Sequence, residues 1–123
     1  MADWNPTELE QIASAPEIEV SSLREDGALT KPVTIWAVRV DRELYVRSVR
    51  GGAGGWYRAA RRRHEGRIEA GDVAVDVAFE DAPHHLDAEI DAAYKEKYGY
   101  PSGPVDSIIT ADAQATTTRV FPR

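Results

Sequence analysis

The sequence predicts a single α+β domain, residues 1–123, built around a six-stranded antiparallel β-barrel with flanking helices. Three observations lead there. Runs of β-branched and aromatic residues follow one another through short turns, which implies antiparallel pairing. Each run keeps an apolar face, so the sheet must close around one core. The chain of 123 residues is long enough for one such core and too short for two, and it shows no internal repeat or low-complexity tract.

The elements follow in chain order. Asn5, Pro6 and Glu8 form a helix start: an Asn cap, a proline where its missing N–H costs nothing, and an acid three residues after the cap. A helix is expected from Pro6 to Ser14, with Leu9, Ile12 and Ala13 on the stripe that covers an open barrel edge. After Pro16 the spacing changes to alternation, with Ile18, Val20 and Ser22 on one side and Glu19, Ser21 and Leu23 on the other. Asp26 and Gly27 mark a turn before Val33–Val40, read as one strand. Residues 41–43 then turn the chain into Leu44–Val49, making a hairpin. A glycine loop, 51–55, leads into WYRAARRR, which has helical propensity and too many arginines for a buried strand. A second hairpin joins Gly66–Ala70 to Val73–Phe79 through Gly71 and Asp72. Leu86–Tyr98 places Leu86, Ile90, Ala93 and Tyr94 on one helical face, with acids early and lysines late, as the helix dipole favours. A short helical turn near Val105–Ile109 and a threonine-rich strand, Ala115–Phe121, complete the six strands.

Composition excludes several classes. Without cysteine there are no disulfides, thiolate metal sites or cysteine nucleophiles. No apolar run approaches the roughly 18 residues of a membrane span, and the polar, acidic start MADWNPTELE lacks the basic flank and apolar stretch of a secretory signal, so a cytoplasmic location is expected. The net charge of −6 is unevenly distributed: nine arginines against three acids between Arg39 and Arg67 give +6 there and leave −12 for the rest. An acidic surface with one basic stripe disfavours nucleic acid as a partner and favours a compact anion, and without a spanning run no membrane partner is expected.

The residues best suited to chemistry lie between Tyr45 and Arg63, YVRSVRGGAGGWYRAARRR. A strand delivers Arg47 and Ser48, a loop beginning at Gly51 and Gly52 lets backbone approach a ligand closely, and a helix opens its N–H groups toward it. Arg47 or Arg50 would add a forked donor for phosphate, and Trp56 and Tyr57 a surface for a planar ring. The same residues also fit a plain structural reading, in which Trp56 packs onto the barrel and Arg58, Arg61, Arg62 and Arg63 form a solvated helix face. His84 and His85 are adjacent and His64 is distant, so no metal site is expected. Asp87, Glu89 and Asp91 lack the glycine and downstream acid of a calcium loop and read as a helix start. No serine stands in a G-x-S-x-G setting and no phosphate-binding P-loop occurs, so hydrolases have no support.

The order LYVRSVRGGAGGWYRAARRRHEGRIEAGDV, preceded by LREDGALTKPVTIWAVRV, resembles the flavin and deazaflavin split-barrel proteins, especially their nitroreductase-like group. Across nearly the whole chain, and including VTIWAVRV, RHEGRI, AAYKEKYG and ATTTRVFPR, the sequence is similar to domain-of-unknown-function family 2255 of bacteria. The split-barrel resemblance implies an FMN or deazaflavin (F420) pocket drawing on Arg24 and Lys31, on Ser48 and Arg50, and on Trp56 and Tyr57. It also implies a homodimer with its pocket between protomers, and an oxidoreductase passing hydride to a small molecule. Glu25 and Asp26 depart from the pattern, standing where the nitroreductase-like proteins have a Lys-Ser pair. They favour the alternative of a non-catalytic barrel that has lost the cofactor and serves as a ligand-binding or interaction module. A single-strand nucleic-acid binder using the arginine-rich helix is a third reading, disfavoured by the acidic remainder.

Overall fold

A computed structural model describes residues 3–99 and 103–123. The chain forms α1 (Pro6–Ser14), β1 (Ile18–Ser22), β2 (Val33–Ile35), β3 (Ala37–Val40), β4 (Glu43–Val46), α2 (Gly55–Arg63), β5 (Glu65–Ala70), β6 (Val73–Asp81), α3 (Asp87–Tyr98), α4 (Gly103–Ile108), α5 (Ala111–Gln114) and β7 (Thr118–Pro122). All strand pairs are antiparallel, in the order β2-β1-β5-β6-β7-β4-β3. The two ends of that order, β2 and β3, are consecutive in the chain and separated by Trp36 alone. The sheet therefore curls until its edges are joined through one residue, giving a nearly closed barrel.

That residue accounts for the difference from the six strands expected. The run 33–40 pairs through its first half with β1 (Ile18 opposite Ile35) and through its second half with β4 (Ala37 opposite Val46). Trp36 is where the chain leaves one neighbour for the other, so one continuous β-type run becomes two strands and the barrel has seven. Residues of α3 satisfy the backbone there. Tyr94 Oη donates to Trp36 O at 3.4 Å, Lys97 Nζ donates to Ala37 O at 2.6 Å, and Tyr98 Oη accepts from Ala37 N at 3.2 Å. The Tyr98 ring stacks on Trp36, with centroids 4.0 Å apart.

Burial follows the period of two that strand geometry imposes. Leu44 and Val46 point into the barrel with Val20, Ile68, Val77, Phe79 and Val120, whereas Tyr45 and Val38 point outward and pack with Ile90, Tyr94 and Ile108. The expected α1 is present. Asn5 Oδ1 accepts from Thr7 N at 2.8 Å and Glu8 N at 3.2 Å, and Leu9 and Ile12 are buried in the inner cluster. Because α1 touches β3 on one side and β5 and β6 on the other, it lies across one end of the barrel. Trp4 reinforces this plug, its Nε1 donating to Val120 O at 2.9 Å. The β5 strand passes close to β1 at Gly66, where an added Cβ would stand 2.0 Å from Ser21 O and 2.9 Å from the Phe79 ring. Among the described residues no helix is long and apolar enough to cross a membrane.

Candidate functional site

Where β4 ends, Arg47 and Ser48 turn beneath the glycine loop. Arg47 is 1% exposed, the largest fully buried side chain among the described residues. Burying a cation is tolerable only if its donors are paired, and here they are. Nε donates to Thr117 Oγ1 at 2.9 Å, one terminal nitrogen to Asp91 Oδ1 and to Ile108 O at 3.2 Å, and the other to Asp87 O at 3.3 Å. Asp91 is held in turn by Gln114 Nε2 at 2.9 Å, and the Tyr94 ring centroid lies 5.6 Å from the guanidinium carbon. Asp87 Oδ1 is buried without a hydrogen bond, 3.8 Å from Arg47. Arg47 thus ties β4 to α3, α4 and the approach to β7. Read from sequence as a donor for phosphate, it instead spends its fork on the protein.

Above Arg47 opens a hollow of about 430 Å³. Two stretches line it: Glu17 with Val33, Thr34, Ile35 and Trp36, and Arg47–Arg50 with Gly54, Gly55 and Trp56, while Ser107 and Ile108 of α4 complete it. Arg50 is exposed and makes no hydrogen bond or ion pair among the described residues. The first turn of α2 begins here at Gly54 with no side-chain cap, so its leading N–H groups remain available at the wall formed by Gly54, Gly55 and Trp56. Gly54 is required for this packing, because a Cβ there would stand 2.2 Å from Ser48 Oγ. Trp56 is half-buried beside the opening and meets Tyr57 edge-on at 6.1 Å.

Of the residues expected at a cofactor site, the hollow gathers Arg47, Ser48, Arg50 and Trp56. Tyr57 is buried away from it, its Oη accepting from Arg61 at 2.8 Å. Gly51 packs against Asp112, and Gly52 is exposed on the short helical turn 51–53. Arg24 pairs with Asp26 at 3.7 Å and lines a separate hollow with Glu25, Arg62 and Arg63, and Lys31 is exposed before β2. The basic stripe therefore fans out: Arg61 reaches Asp81 at 3.3 Å, Arg67 reaches Asp76 at 3.0 Å, and among its described arginines only Arg47 and Arg50 line the first hollow. The sequence reading missed Glu17, Trp36 and Ser107. Trp36 was in view as part of a strand, but its place at the seam depends on two distant pairings, and nothing local distinguishes Glu17.

Three ionisable groups beside the Trp36 seam are perturbed, and burial holds the Tyr94 phenol far above its ordinary value. Burial lowers the Lys97 amine to about 8 and raises the Tyr98 phenol to about 12, the latter raised further by the negative charge of Glu17. The field of Glu17 therefore reaches the ring stacked on Trp36. His64 closes α2 in a left-handed conformation (φ 62°), and His84 lies 3.6 Å from Asp87 at the surface.

A nearly closed antiparallel barrel with a helix across one end and a hollow beside a glycine loop defines a split-barrel protein. Within that class, the chain belongs to the DUF2255 family of uncharacterised proteins conserved in bacteria, whose pattern matches residues 8–120. A search of curated proteins finds no match. Solved structures with the same fold include a candidate 5-nitroimidazole antibiotic resistance protein from Bacteroides thetaiotaomicron, with a TM-score of 0.62 and 14% identity over 96% of this chain and 79% of that one. An F420 reductase aligns with a TM-score of 0.58 and 18% identity over 93% of this chain and 92% of that one. A FAD-binding protein from Mesorhizobium loti aligns with a TM-score of 0.56 and 16% identity over 99% of this chain and 92% of that one. At such identities the likeness is one of fold.

Proposed function

We propose that the hollow beside the start of α2 binds FMN or a deazaflavin and that the protein is an oxidoreductase acting on a small molecule. The observation that carries this reading is the convergence on one opening of an uncapped helix N-terminus, the Arg50 guanidinium, which has no partner among the described residues, and the half-buried Trp56 ring. The first two are suited to an anionic group and the third to a planar ring. The fit is supported by size, since about 430 Å³ lies within the range of small-molecule pockets. Hydride acceptance and donation would be the chemistry of the bound ring. The chain's part is to hold and shield it: Arg50 and the α2 amides for the anion, Trp36 and Trp56 as walls, and Arg47 beneath as the fixed support of Ser48. Val33 and Val49 rim the opening at 40% and 56% exposure. This apolar rim supports a homodimer, in which a second copy would cover it.

One observation favours the alternative, a ligand-binding module without the cofactor. Arg47 is fully engaged and Arg24 lies in another hollow, so among the described residues Arg50 is the only side-chain cation left to meet a phosphate there. Absorbance and fluorescence titrations with FMN and with F420 separate the two. The oxidoreductase reading expects saturable binding of one of them, weakened roughly five- to twentyfold by Arg50→Ala. Absence of binding by both would leave the module.

A further inference from the structure

Glu17 directly precedes β1, is exposed and lines the hollow, and it has no hydrogen bond or ion pair among the described residues. Its neighbour Ile18 pairs with Ile35, which brings Glu17 alongside the Trp36 seam. The Trp36 ring is half-buried and lines the same hollow, as does Trp56. A free carboxylate beside an indole is a receptor for a cation: the acid supplies the opposite charge and the ring its negative face. The Tyr98 ring covers one face of Trp36, and among the described residues no cation pairs with Glu17. Lys97 reaches the seam from α3 but spends its amine on Ala37 O and on the Tyr98 ring, 5.0 Å from its centroid. Net charge works in the same direction, since a chain at −6 draws cations toward its clefts. Arg50, in the other stretch of the lining, supplies the opposite sign, so the hollow has two unlike poles.

We propose that the hollow takes a planar aromatic ligand carrying a cationic nitrogen group, with Glu17 and Trp36 as the residues that select it. The assignment of this ligand as a substrate rests on the oxidoreductase reading, with Arg50 meeting the cofactor's anion; the selectivity itself does not.

The probes are benzamidine, a flat aromatic cation, and benzamide, its neutral counterpart, titrated into the full chain by tryptophan fluorescence. Wild-type protein is expected to bind benzamidine roughly three- to tenfold more tightly than benzamide. Glu17→Gln should erase that preference, leave benzamide binding unchanged and leave the thermal midpoint unchanged, because the side chain is exposed. Equal binding of the two probes by wild type, or a preference that survives Glu17→Gln, would overturn the proposal. Titration of the same samples with FMN and F420 keeps the two ideas apart. Cation preference without cofactor binding sinks only the oxidoreductase reading, and cofactor binding without cation preference sinks only this one.

Discussion

Replacing Arg47 by methionine removes a buried cation while keeping most of its volume. Asp91, with its side chain 22% exposed, then loses its ion-pair partner, and Thr117 Oγ1, Ile108 O and Asp87 O lose a donor. Breaking one side of a buried ion pair costs about 3–5 kcal/mol, because the remaining charge stays desolvated. Against a total stability of about 5–15 kcal/mol, that is a large share. At roughly 4 °C per kcal/mol for a domain of this size, the thermal midpoint should fall by about 12–20 °C. Asp91→Asn keeps one acceptor for Arg47 but loses the charge and turns an NH2 toward Gln114 Nε2, so it should cost about 1–3 kcal/mol. Arg50→Met is the control: the same change of charge three residues away, on an exposed and unpaired side chain, should stay within about 0.5 kcal/mol. Urea unfolding followed by circular dichroism measures all three. If Arg47→Met proved no more costly than Arg50→Met, the description of Arg47 as the pin between β4, α3 and α4 would be wrong.

Three further outcomes follow from particular contacts. Gly66→Ala should destabilise by about 1–3 kcal/mol in urea unfolding, since its Cβ would stand 2.0 Å from a backbone oxygen that cannot swing away. Lys97 has its folded pKa lowered to about 8 by burial, so between that value and its ordinary 10.5 the unfolded chain binds more protons and stability should rise with pH. Discounted for partial exposure, the gain is about 1–2 kcal/mol, read as a pH-dependent thermal midpoint and absent in Lys97→Met. Tyr98, raised to about 12 chiefly by burial, opposes this above pH 10, where the unfolded phenol ionises first; Tyr98→Phe should relieve that alkaline loss.

Much of this architecture was legible from local pattern. The Asn5–Pro6 cap, the turn at 71–72 and the acid-first, lysine-last order of α3 each act over a few residues and appear where spacing put them, and the turn expected over 41–43 occupies 41–42. The seam at Trp36 did not announce itself, because a strand that changes partners midway has the same composition as one that does not. Trp56 and Arg50 were found beside a hollow because a loop and a helix start adjoin them in sequence. The engagement of Arg47 was hidden for a related reason. Its acceptors lie 40 or more positions away, on α3, at the end of α4 and before β7, so its free fork could not be told from a spent one. Glu17 is joined to the hollow by strand pairing, another long-range fact.

On the function proposed, a ligand enters through the opening between α2, Trp36 and Arg50. Nitrogen–proton correlation spectra recorded while FMN or F420 is added test it directly. Shifts should concentrate on the amides of Gly55 and Trp56 and the indoles of Trp36 and Trp56, while those of Ala59 and Arg62 beside the second hollow stay in place. Shifts centred on the second hollow, or a spectrum that neither compound alters, would contradict it.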